Sequence, residues 1–468
     1  MRNALLPHLA VRGLTGSRRL YLPFLLSTAF MAMVYTVIAC FVHDPLLGET
    51  IAGGNNIQTL MSVGYLLLPV VLAPFLVYIY SYLLKNRSRE LALYAILGLE
   101  RRHIALVLLI ENALCFAVSL LLGLGGGALV YPLTVRALLA ALRLPAARGT
   151  LSAASLLGVT RVFAVCFALL VAIGVWRAAC ARPVSLLREQ TQGEKPMRGR
   201  LPVAVGGVLC LLAAYTLSAT SRLAPSLHSF MVALALVILG TYGVFTGVSA
   251  EVLRRLRRSP RMHTDASALV VVSGLQHRLR KNAAGLVNIC LFGCAALFTL
   301  CCSFCVLLGQ DTVIARIGRA VVEGQFGLNT ADVAAREIEM LFTTLAFLGV
   351  FFVLVFLACT ALVLYYKQLA ESTEDVGRLR ILRAVGLSDA RAAHTVRRQL
   401  RTLFLLPLGG TLLHIAGATP FLCTFMSLLA IDAPEVIGGS VALAMLVFCL
   451  FYLLCYRATV RAYLRAVA

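Results

Sequence analysis

Few side chains in this sequence could do chemistry, and most of them lie in or beside long apolar runs. Glu111 and His414 are ionisable residues in such runs, and Asn288 and Gln399 are uncharged polar residues in similar surroundings. A polar group inside a bilayer is costly, so each of these residues marks a site to be explained. One hypothesis is that Glu111 and His414 face the interior of a helix bundle, where they help transmit motion or contact a lipid headgroup. The alternative is a hydrogen-bonded packing group or, for Glu111, a carboxylate paired with a nearby arginine.

The 14 cysteines of the chain are placed for packing rather than for chemistry. The densest group is Cys290, Cys294, Cys301, Cys302 and Cys305, all in one apolar segment, where a thiol behaves as a small hydrophobe. No loop predicted to face outward contains a cysteine, which argues against a disulfide framework. The sequence has neither metal-ligand spacing nor a Ser-His-Asp arrangement, so we predict no metal site and no catalytic site.

Composition defines the kind of molecule that positions these residues. The chain has 468 residues, of which 60% are hydrophobic and 13% are charged, and its mean hydropathy is +0.90. Soluble globular chains have about 45–50% apolar and about 25% charged residues. The composition therefore excludes a soluble enzyme, a disordered chain and a secreted disulfide scaffold, and it predicts a polytopic membrane protein.

Ten apolar windows are long enough to cross a bilayer, because a hydrocarbon core of about 30 Å needs about 20 helical residues. They lie at 20–42, 60–84, 104–132, 155–177, 201–219, 227–249, 284–308, 340–366, 403–426 and 437–457. We therefore predict an all-α polytopic membrane protein with ten transmembrane helices. The longest outward segment, 310–339, has room for one or two small helices but not for a separate domain.

The net charge of +22 is distributed unevenly along the chain. With ten crossings, 34 of the 42 Lys and Arg residues fall on one side of the membrane, and seven fall in the opposite loops. Cytoplasmic loops carry the excess of Lys and Arg in membrane proteins, so we predict that both termini are cytoplasmic. This distribution explains the basic charge without a nucleic-acid partner.

Two segments on the predicted cytoplasmic side resemble each other. Gly98 aligns with Gly386 at an offset of 288 residues, and each follows one transmembrane helix and precedes another. Residues 87–97 contain neither Pro nor Gly, which favours a helix, and glycine suits the left-handed residue that ends one. We predict short cytoplasmic helices at 86–103 and 371–394, on which a soluble partner can push. The alternative is a solvated basic loop that only sets topology.

The repeat predicts how the chain is organised. A first four-helix bundle occupies residues 1–178, a linker with two helices occupies 179–262, and a second four-helix bundle occupies 263–468. Each bundle contains one of the two predicted cytoplasmic helices. The chain then resembles a dimer of bundles joined in one polypeptide.

At these residues the sequence resembles the FtsX-like ABC transporter permeases, and within them the ten-helix bacitracin-export (BceB-like) branch. The resemblance is carried by Leu93–Ile104 with Glu111, and by Tyr365–Asp375 followed by Ile381–Asp389. Gly285–Ile289, at the start of the seventh predicted helix, also fits the family. Together these stretches cover both bundles and the spacing between them.

The resemblance implies a non-catalytic permease subunit of the mechanotransmission type in a bacterial plasma membrane. A separate ABC ATP-binding subunit, in two copies, would dock on the two cytoplasmic segments. It would carry the ATP and Mg²⁺, because this chain has no Gly-x-x-x-x-Gly-Lys-Ser/Thr loop of its own. The residues expected to couple the ATPase to the membrane helices are Arg89, Glu90, Tyr94, Gly98, Glu100, Arg101, Asp375, Arg380, Arg383, Gly386 and Asp389.

The resemblance also implies a class of substrate. Members of the branch protect bacteria against antimicrobial peptides that bind cell-wall lipid intermediates, and many of them report to a sensor histidine kinase. We therefore expect export or release of an amphipathic, peptide or lipid-bound substrate. Members of the branch carry a large extracellular domain between the seventh and eighth helices, whereas only 310–339 lies there in this chain. The resemblance thus covers the membrane part and the ATPase coupling.

Two other functions are compatible with the sequence. An envelope-stress signalling subunit would regulate a histidine kinase or a wall enzyme, although the short outer loops argue against direct sensing of a bulky ligand. An ion-coupled secondary transporter would need acidic residues at mid-membrane depth, and these are scarce here.

Overall fold

The computed structural model is built from α-helices. It describes residues 2–45, 47, 54–145, 149–180, 201–221, 226–258, 266–322, 328–384 and 389–467. Within these residues the helices, numbered in chain order, are α1 Arg2–Gly16, α2 Arg18–His43, α3 Gly54–Ile96, α4 Arg101–Ala141, α5 Ala153–Cys180, α6 Leu201–Thr220, α7 Leu227–Gly243, α8 Ser249–Arg258, α9 Ala266–Val322, α10 Leu328–Ala384, α11 Asp389–Leu428 and α12 Pro434–Val467. A π-helical segment, Val244–Val248, connects α7 to α8. The prediction of an all-α protein is confirmed.

Ten helical stretches in the described parts of the chain are long and apolar enough to cross a membrane. They are Leu20–His43, Ile57–Ser88, Arg101–Ala141, Ala153–Ala178, Leu201–Thr220, His228–Val248, Ala283–Arg316, Val333–Leu364, Leu400–Leu428 and Pro434–Arg461. Each of them overlaps one of the ten apolar windows, so the predicted number and order of the spans are confirmed. The chain is a multi-pass membrane protein.

The chain divides into two compact units, Met1–Lys195 and Pro196–Ala468. In the first unit, α2 packs against α3, α4 and α5. In the second unit, α9 packs against α10, α11 and α12. The predicted linker helices α6 and α7 also lie in the second unit, where α6 contacts α11 and α7 contacts α9.

Glycine residues allow α6 and α7 to pack backbone against backbone. A Cβ atom added to Gly207 would lie 2.7 Å from the backbone of Gly243, and one added to Gly247 would lie 2.5 Å from the nitrogen of Ala204. Small residues permit such an approach between membrane helices, and the close contact gains van der Waals energy. The two helices therefore form one tightly packed pair within the second unit.

The cytoplasmic helix predicted at 86–103 is not a separate helix. The helix that crosses the membrane continues to Ile96 as part of α3, a turn follows, and α4 begins at Arg101. The physical reason lies in the sequence, because residues 75–96 contain no Pro or Gly that would end the helix. The second predicted helix, 371–394, likewise begins as the end of α10, which runs to Ala384, and ends within α11.

The segment 310–339, predicted to face outward, also consists mainly of helix extensions rather than of separate small helices. α9 continues to Val322 and α10 begins at Leu328, so both helices extend beyond their apolar spans.

Near the N-terminus, the helix α1 precedes the first span. This helix was not predicted from the sequence. It packs against α4 through a small apolar cluster formed by Leu6, Ala10 and Val107.

Candidate functional site

A buried ionic network lies where α3 leaves the membrane span. The side chain of Arg87 is fully buried, and that of Glu111 on α4 is 2% exposed. Arg87 Nη1 donates to Glu111 Oε2 and to the hydroxyl oxygen of Tyr21 on α2. The Tyr21 hydroxyl in turn donates to Glu111 Oε2 at 2.8 Å. Three helices are thus joined through one carboxylate oxygen.

A second carboxylate extends this network toward the surface. Arg87 Nε donates to Glu90 Oε2 at 3.0 Å, one turn further along α3. The other oxygen of Glu90 accepts a hydrogen bond of 3.0 Å from Ser17, the residue between α1 and α2. Glu90 is 45% exposed, so water partly screens this contact. We call Ser17, Tyr21, Arg87, Glu90 and Glu111 the basal network.

The helix α1 closes the basal network without donating a side chain to it. A Cβ atom added to Gly13 would lie 2.6 Å from Arg87 Nη2 and 2.7 Å from Glu111 Oε1. Both of these atoms are buried and have no hydrogen-bond partner among the described residues. Only a residue without a side chain fits there, so Gly13 sets how closely α1 approaches the ion pair.

The end of α3 presents apolar side chains beyond the membrane span. The apolar window of this helix, 60–84, ends before Lys85, yet Leu93, Ile96 and Leu97 are 52%, 59% and 69% exposed. We call these three residues the apolar tip. Exposed apolar residues inside a span face lipid, but outside a span such a patch is typical of a protein interaction surface.

The turn after the apolar tip has a defined geometry. Gly98 has φ +91°, the left-handed region that favours glycine. The Gly98 amide donates to the Ala95 carbonyl at 3.2 Å, and the Leu99 amide donates to the Tyr94 carbonyl at 3.0 Å. This pair of bonds forms a Schellman motif. The prediction that Gly98 caps a helix in the left-handed conformation is therefore confirmed.

The remaining residues predicted in the first segment surround this turn. Tyr94 is half-buried, and its burial raises the pKa of the phenol above the ordinary value, so the phenol stays neutral. Glu100 and Arg101 are exposed, and Glu100 forms an ion pair with Arg102 at 2.6 Å. Arg89 lies in α3, but its side chain falls outside the described part. Only Glu90 of the predicted coupling set belongs to the basal network.

The predicted residues of the second segment can be placed only by element. Asp375, Arg380 and Arg383 lie on α10, and Asp389 is the first residue of α11. Their side chains lie outside the described part of the structure, as does that of Gln399, and Gly386 lies outside the described residues altogether.

The predicted intramembrane histidine is buried among hydroxyl groups in the second unit. His414 on α11 is 3% exposed. Its Nδ1 lies 2.7 Å from the hydroxyl of Tyr215 on α6, and its Nε2 lies 3.0 Å from the hydroxyl of Thr241 on α7. Asn288 is buried on α9, and its amide nitrogen has no hydrogen-bond partner among the described residues. His414 is thus buried, with a hydroxyl group within hydrogen-bond distance of each ring nitrogen.

A further polar cluster, which the sequence analysis did not single out, lies at the opposite end of the first unit. The fully buried Asp44 accepts hydrogen bonds from the Tyr131 hydroxyl at 2.6 Å and from the Thr150 hydroxyl at 2.7 Å. The Thr150 amide also donates to this carboxylate at 2.9 Å. An acidic residue directly after an apolar window was the available signal. Its contacts join the end of α2 to α4 and to the start of α5.

Within the described residues we find no candidate site for metal or redox chemistry. Within them, no group of three or more His, Cys, Asp or Glu side chains is placed to hold a metal ion. The cysteines in the described part are free thiols, and those in the Cys290–Cys305 group are buried or half-buried along α9. The arrangement offers ion pairs and packing rather than a reacting group.

Comparison with known families agrees with this geometry. A family model described as FtsX-like permease C-terminal matches residues 61–183, a stretch that includes Arg87, Glu90, Gly98 and Glu111. Residues 61–183 are thus similar to an FtsX-like permease domain. The resemblance predicted from the sequence is therefore confirmed, and three of the five basal-network residues lie in the FtsX-like domain.

Three proteins of Bacillus subtilis to which this chain is similar are named permeases. The chain is 25% identical over 283 residues to the uncharacterized ABC transporter permease YvcS, covering 59% of this chain and 43% of that protein. It is 22% identical over 286 residues to the bacitracin export permease protein BceB, covering 59% and 44%. It is 23% identical over 275 residues to the ABC transporter permease protein YxdM, covering 58% and 44%. The matched part is less than half the length of each relative.

Proposed function

We propose that this chain is the permease subunit of an ATP-driven ABC transporter of the mechanotransmission type. The apolar tip is the surface on which a separate ATP-binding subunit docks. The observation that carries the proposal is the exposure of Leu93, Ile96 and Leu97 beyond the end of a membrane span. Exposure of leucine and isoleucine side chains to water outside the bilayer is unfavourable in free energy, unless a partner covers them.

Motion of the partner has a continuous mechanical path into the bilayer. α3 runs unbroken from the apolar tip through the membrane, so displacement of the tip tilts the whole helix. The basal network transmits that tilt, because the Arg87–Glu111 pair fastens α3 to α4 and Tyr21 fastens both to α2. ATP and Mg²⁺ belong to the partner, and this chain contributes no catalytic group.

The second segment provides the corresponding contact for a second ATP-binding subunit. It rests on the sequence repeat, in which Gly386 matches Gly98, and on the residues predicted there: Asp375, Arg380, Arg383 and Asp389. Two docking segments in one chain favour two copies of the partner. Both segments then lie on the cytoplasmic side of a bacterial plasma membrane.

The substrate class follows from the relatives. One of them is named a bacitracin export permease, which favours an amphipathic, peptide or lipid-bound substrate at the cell envelope and a contribution to antimicrobial peptide resistance. The resemblance also favours a sensor histidine kinase as a further partner.

The test is co-purification of the tagged full chain with its cognate ABC ATP-binding subunit in mild detergent. We expect Leu97→Asp to abolish retention of the subunit and to lower ATP hydrolysis by the complex, because a buried charge would lie in the interface. Leu97→Met keeps an apolar side chain and should retain the partner. Val252→Asp, at a 47% exposed apolar position on α8 outside the spans, controls for the added charge.

The result distinguishes docking from loss of the fold. Each variant is first compared with the unaltered chain for its yield in the membrane and for its melting temperature. If Leu97→Asp is as stable as Val252→Asp and binds the ATP-binding subunit like the unaltered chain, the apolar tip is not the docking surface and the proposal fails.

A further inference from the structure

A groove opens toward the bilayer beside the basal network. It has a volume of about 190 Å³ and lies between α2 and α4, with α1 at one end. Its walls include Leu14, Tyr21 and Leu22 on one side and Leu114 and Val118 on the other. Leu22 is 57% exposed and Val118 is 42% exposed, so the groove is open along its length to the hydrocarbon of the membrane.

The position of the groove fits one leaflet of a bilayer. Arg18 lines one end of the groove, which we call its mouth, and lies two residues before the apolar window 20–42. Leu25 lines its far end, seven residues along α2, which is about 10 Å at the helical rise of about 1.5 Å per residue. The mouth therefore lies at the level of lipid headgroups, and the walls lie at the level of acyl chains.

The charge at the mouth selects the headgroup. Arg18 is exposed, and the two carboxylates of the basal network, those of Glu90 and Glu111, are both bonded to Arg87. Arg12 on α1 is also exposed at this end of the unit, which adds positive potential. An arginine at the membrane surface attracts anionic lipid, and its planar guanidinium binds phosphate in two-point contacts.

We propose that this groove is a binding site for an anionic phospholipid. One acyl chain lies along Tyr21, Leu22 and Val118, and the phosphate lies against Arg18. The site is independent of the proposed ATPase partner, because none of its residues belongs to the apolar tip. It bears on the basal network directly, since the acyl chain would cover the ring of Tyr21, whose hydroxyl holds Glu111.

Photo-crosslinking in nanodiscs tests the proposal. The purified full chain is incorporated with a phosphatidylglycerol that carries a diazirine on one acyl chain or, separately, with the corresponding phosphatidylcholine, and labelled peptides are mapped by mass spectrometry. We expect phosphatidylglycerol to label the peptides of Leu14–Leu25 and Leu114–Val118 about fivefold more than phosphatidylcholine, the factor for one arginine at a membrane surface.

Matched variants separate the headgroup contact from the acyl contact. Arg18→Gln should reduce phosphatidylglycerol labelling to the phosphatidylcholine level, whereas Arg12→Gln, at an arginine that does not line the groove, should leave most of it. Val118→Trp fills the groove and should abolish labelling by both lipids. Val165→Trp, at a lipid-facing position that is 71% exposed on α5, should leave labelling unchanged.

Three results would overturn the proposal. The first is equal labelling of the groove by the two lipids in the unaltered chain. The second is labelling that Arg18→Gln leaves intact. The third is loss of the label on addition of glycerol phosphate alone, because a site that needs no acyl chain is a free-phosphate site. Melting temperatures provide a second readout, since bound lipid stabilises the folded chain, and phosphatidylglycerol should raise the melting temperature of the Arg12→Gln variant but not that of Arg18→Gln.

Discussion

Burial of the Arg87 side chain has a large cost in free energy, and it serves a specific structural function. Removing a guanidinium from water is expensive, and a carboxylate partner offsets that cost only when the geometry is good. Here Glu111 and Glu90 both contact Arg87, and the ring of Tyr21 lies 5.3 Å from its central carbon. An ion pair that joins three helices fixes their mutual register more than it adds net stability.

The first prediction concerns the charge of Glu111. Glu111→Gln keeps the shape of the side chain but leaves Arg87 without its fully buried counter-charge. We expect the free energy of unfolding in detergent to fall by about 3 kcal/mol, the lower end for breaking a buried pair, because Glu90 still neutralises part of the charge. Chemical denaturation followed by circular dichroism measures the loss.

Two further variants make that result specific. Glu100→Gln removes a carboxylate that is 54% exposed and pairs with Arg102 at the surface, and it should change stability by less than about 1 kcal/mol. The double variant Arg87→Met/Glu111→Leu removes both buried charges and should recover most of the lost stability. Equal stability of Glu111→Gln and Glu100→Gln would show that the buried pair of Arg87 and Glu111 does not stabilise the fold.

The second prediction concerns Gly13. Gly13→Ala places a methyl group within 2.7 Å of Arg87 Nη2 and Glu111 Oε1, so α1 must shift outward or the ion pair must rearrange. We expect a loss of about 1–3 kcal/mol, the usual cost of overpacking, together with faster proteolysis of α1. Gly16→Ala is the matched control, because nothing lies within 4 Å of a Cβ atom there. A Gly13→Ala variant that behaves like Gly16→Ala would place α1 elsewhere.

Sequence reasoning found one half of the basal network and missed the other. Glu111 was visible as an acid inside an apolar helix, and pairing with a nearby arginine was one of the two alternatives considered for it. Arg87 itself looked like any other cation beside a span, because the sequence does not give the rotation of α3 about its axis. Only when that rotation is known can one recognise the roles of Tyr21, Ser17 and Gly13.

Among the helices, α2 and α4 make the closest contact of the first unit. Thr28, Ala32 and Thr36 on α2 face Ser119, Gly123 and Gly127 on α4 at four-residue intervals. The Thr28 and Ser119 hydroxyl oxygens lie 2.6 Å apart, and added Cβ atoms on Gly123 and Gly127 would lie 2.2 Å from Ala32 Cβ and 2.5 Å from Thr36 Cβ. The glycine-rich part of α4 that contains Gly123 and Gly127 is thus the surface that packs against α2.

The third prediction concerns this helix contact. Gly123→Ala forces α2 and α4 apart, because the atoms opposite include the Ala32 backbone and cannot rotate away. We expect a loss of about 1–3 kcal/mol in unfolding free energy, measured by the same denaturation assay. Gly125→Ala, two residues along the same run, meets nothing within 4 Å and should be neutral or slightly stabilising. Equal effects at the two positions would contradict the contact.

Hydropathy predicted the elements better than it predicted their ends. The ten spans follow from apolar length, which the bilayer imposes on any sequence. The ends of α3 and α10 do not follow from apolar length. A helix ends where its residues no longer favour the helical backbone, and not where the membrane ends. α1 was missed for a related reason: Pro7, Gly13 and Gly16 weaken its pattern, and its stability comes from packing on α4.

At the scale of the whole molecule, the two units repeat one internal arrangement. In each predicted four-helix bundle the first membrane helix, α2 or α9, contacts the three other spans. The sequence repeat at an offset of 288 residues indicated two bundles, but not that α6 and α7 would join the second unit. Those contacts come from glycine packing and from hydroxyl groups around His414, which no hydropathy window reports.

The fourth prediction concerns the orientation of the whole chain in the membrane. With 34 of 42 Lys and Arg residues on one side of the ten spans, we expect both termini and the turn at Gly98 to be cytoplasmic. Fusions to alkaline phosphatase test this in cells, because that enzyme needs the oxidising periplasm to form its disulfides. Fusions after Leu144 and after Ala430 should be active, and fusions after Leu97 and at the C-terminus should be inactive.

A green fluorescent protein fused at the same four points provides the converse readout, since it should fluoresce only at Leu97 and at the C-terminus. The two outer positions lie in turns where Arg143 and Ala430 have positive φ, so insertion there interrupts no helix. Activity of the phosphatase at Leu97 would place the apolar tip outside the cell, where no ATP-binding subunit can reach it. That single result would reverse the orientation and remove the proposed docking surface, while the basal network would keep its geometry.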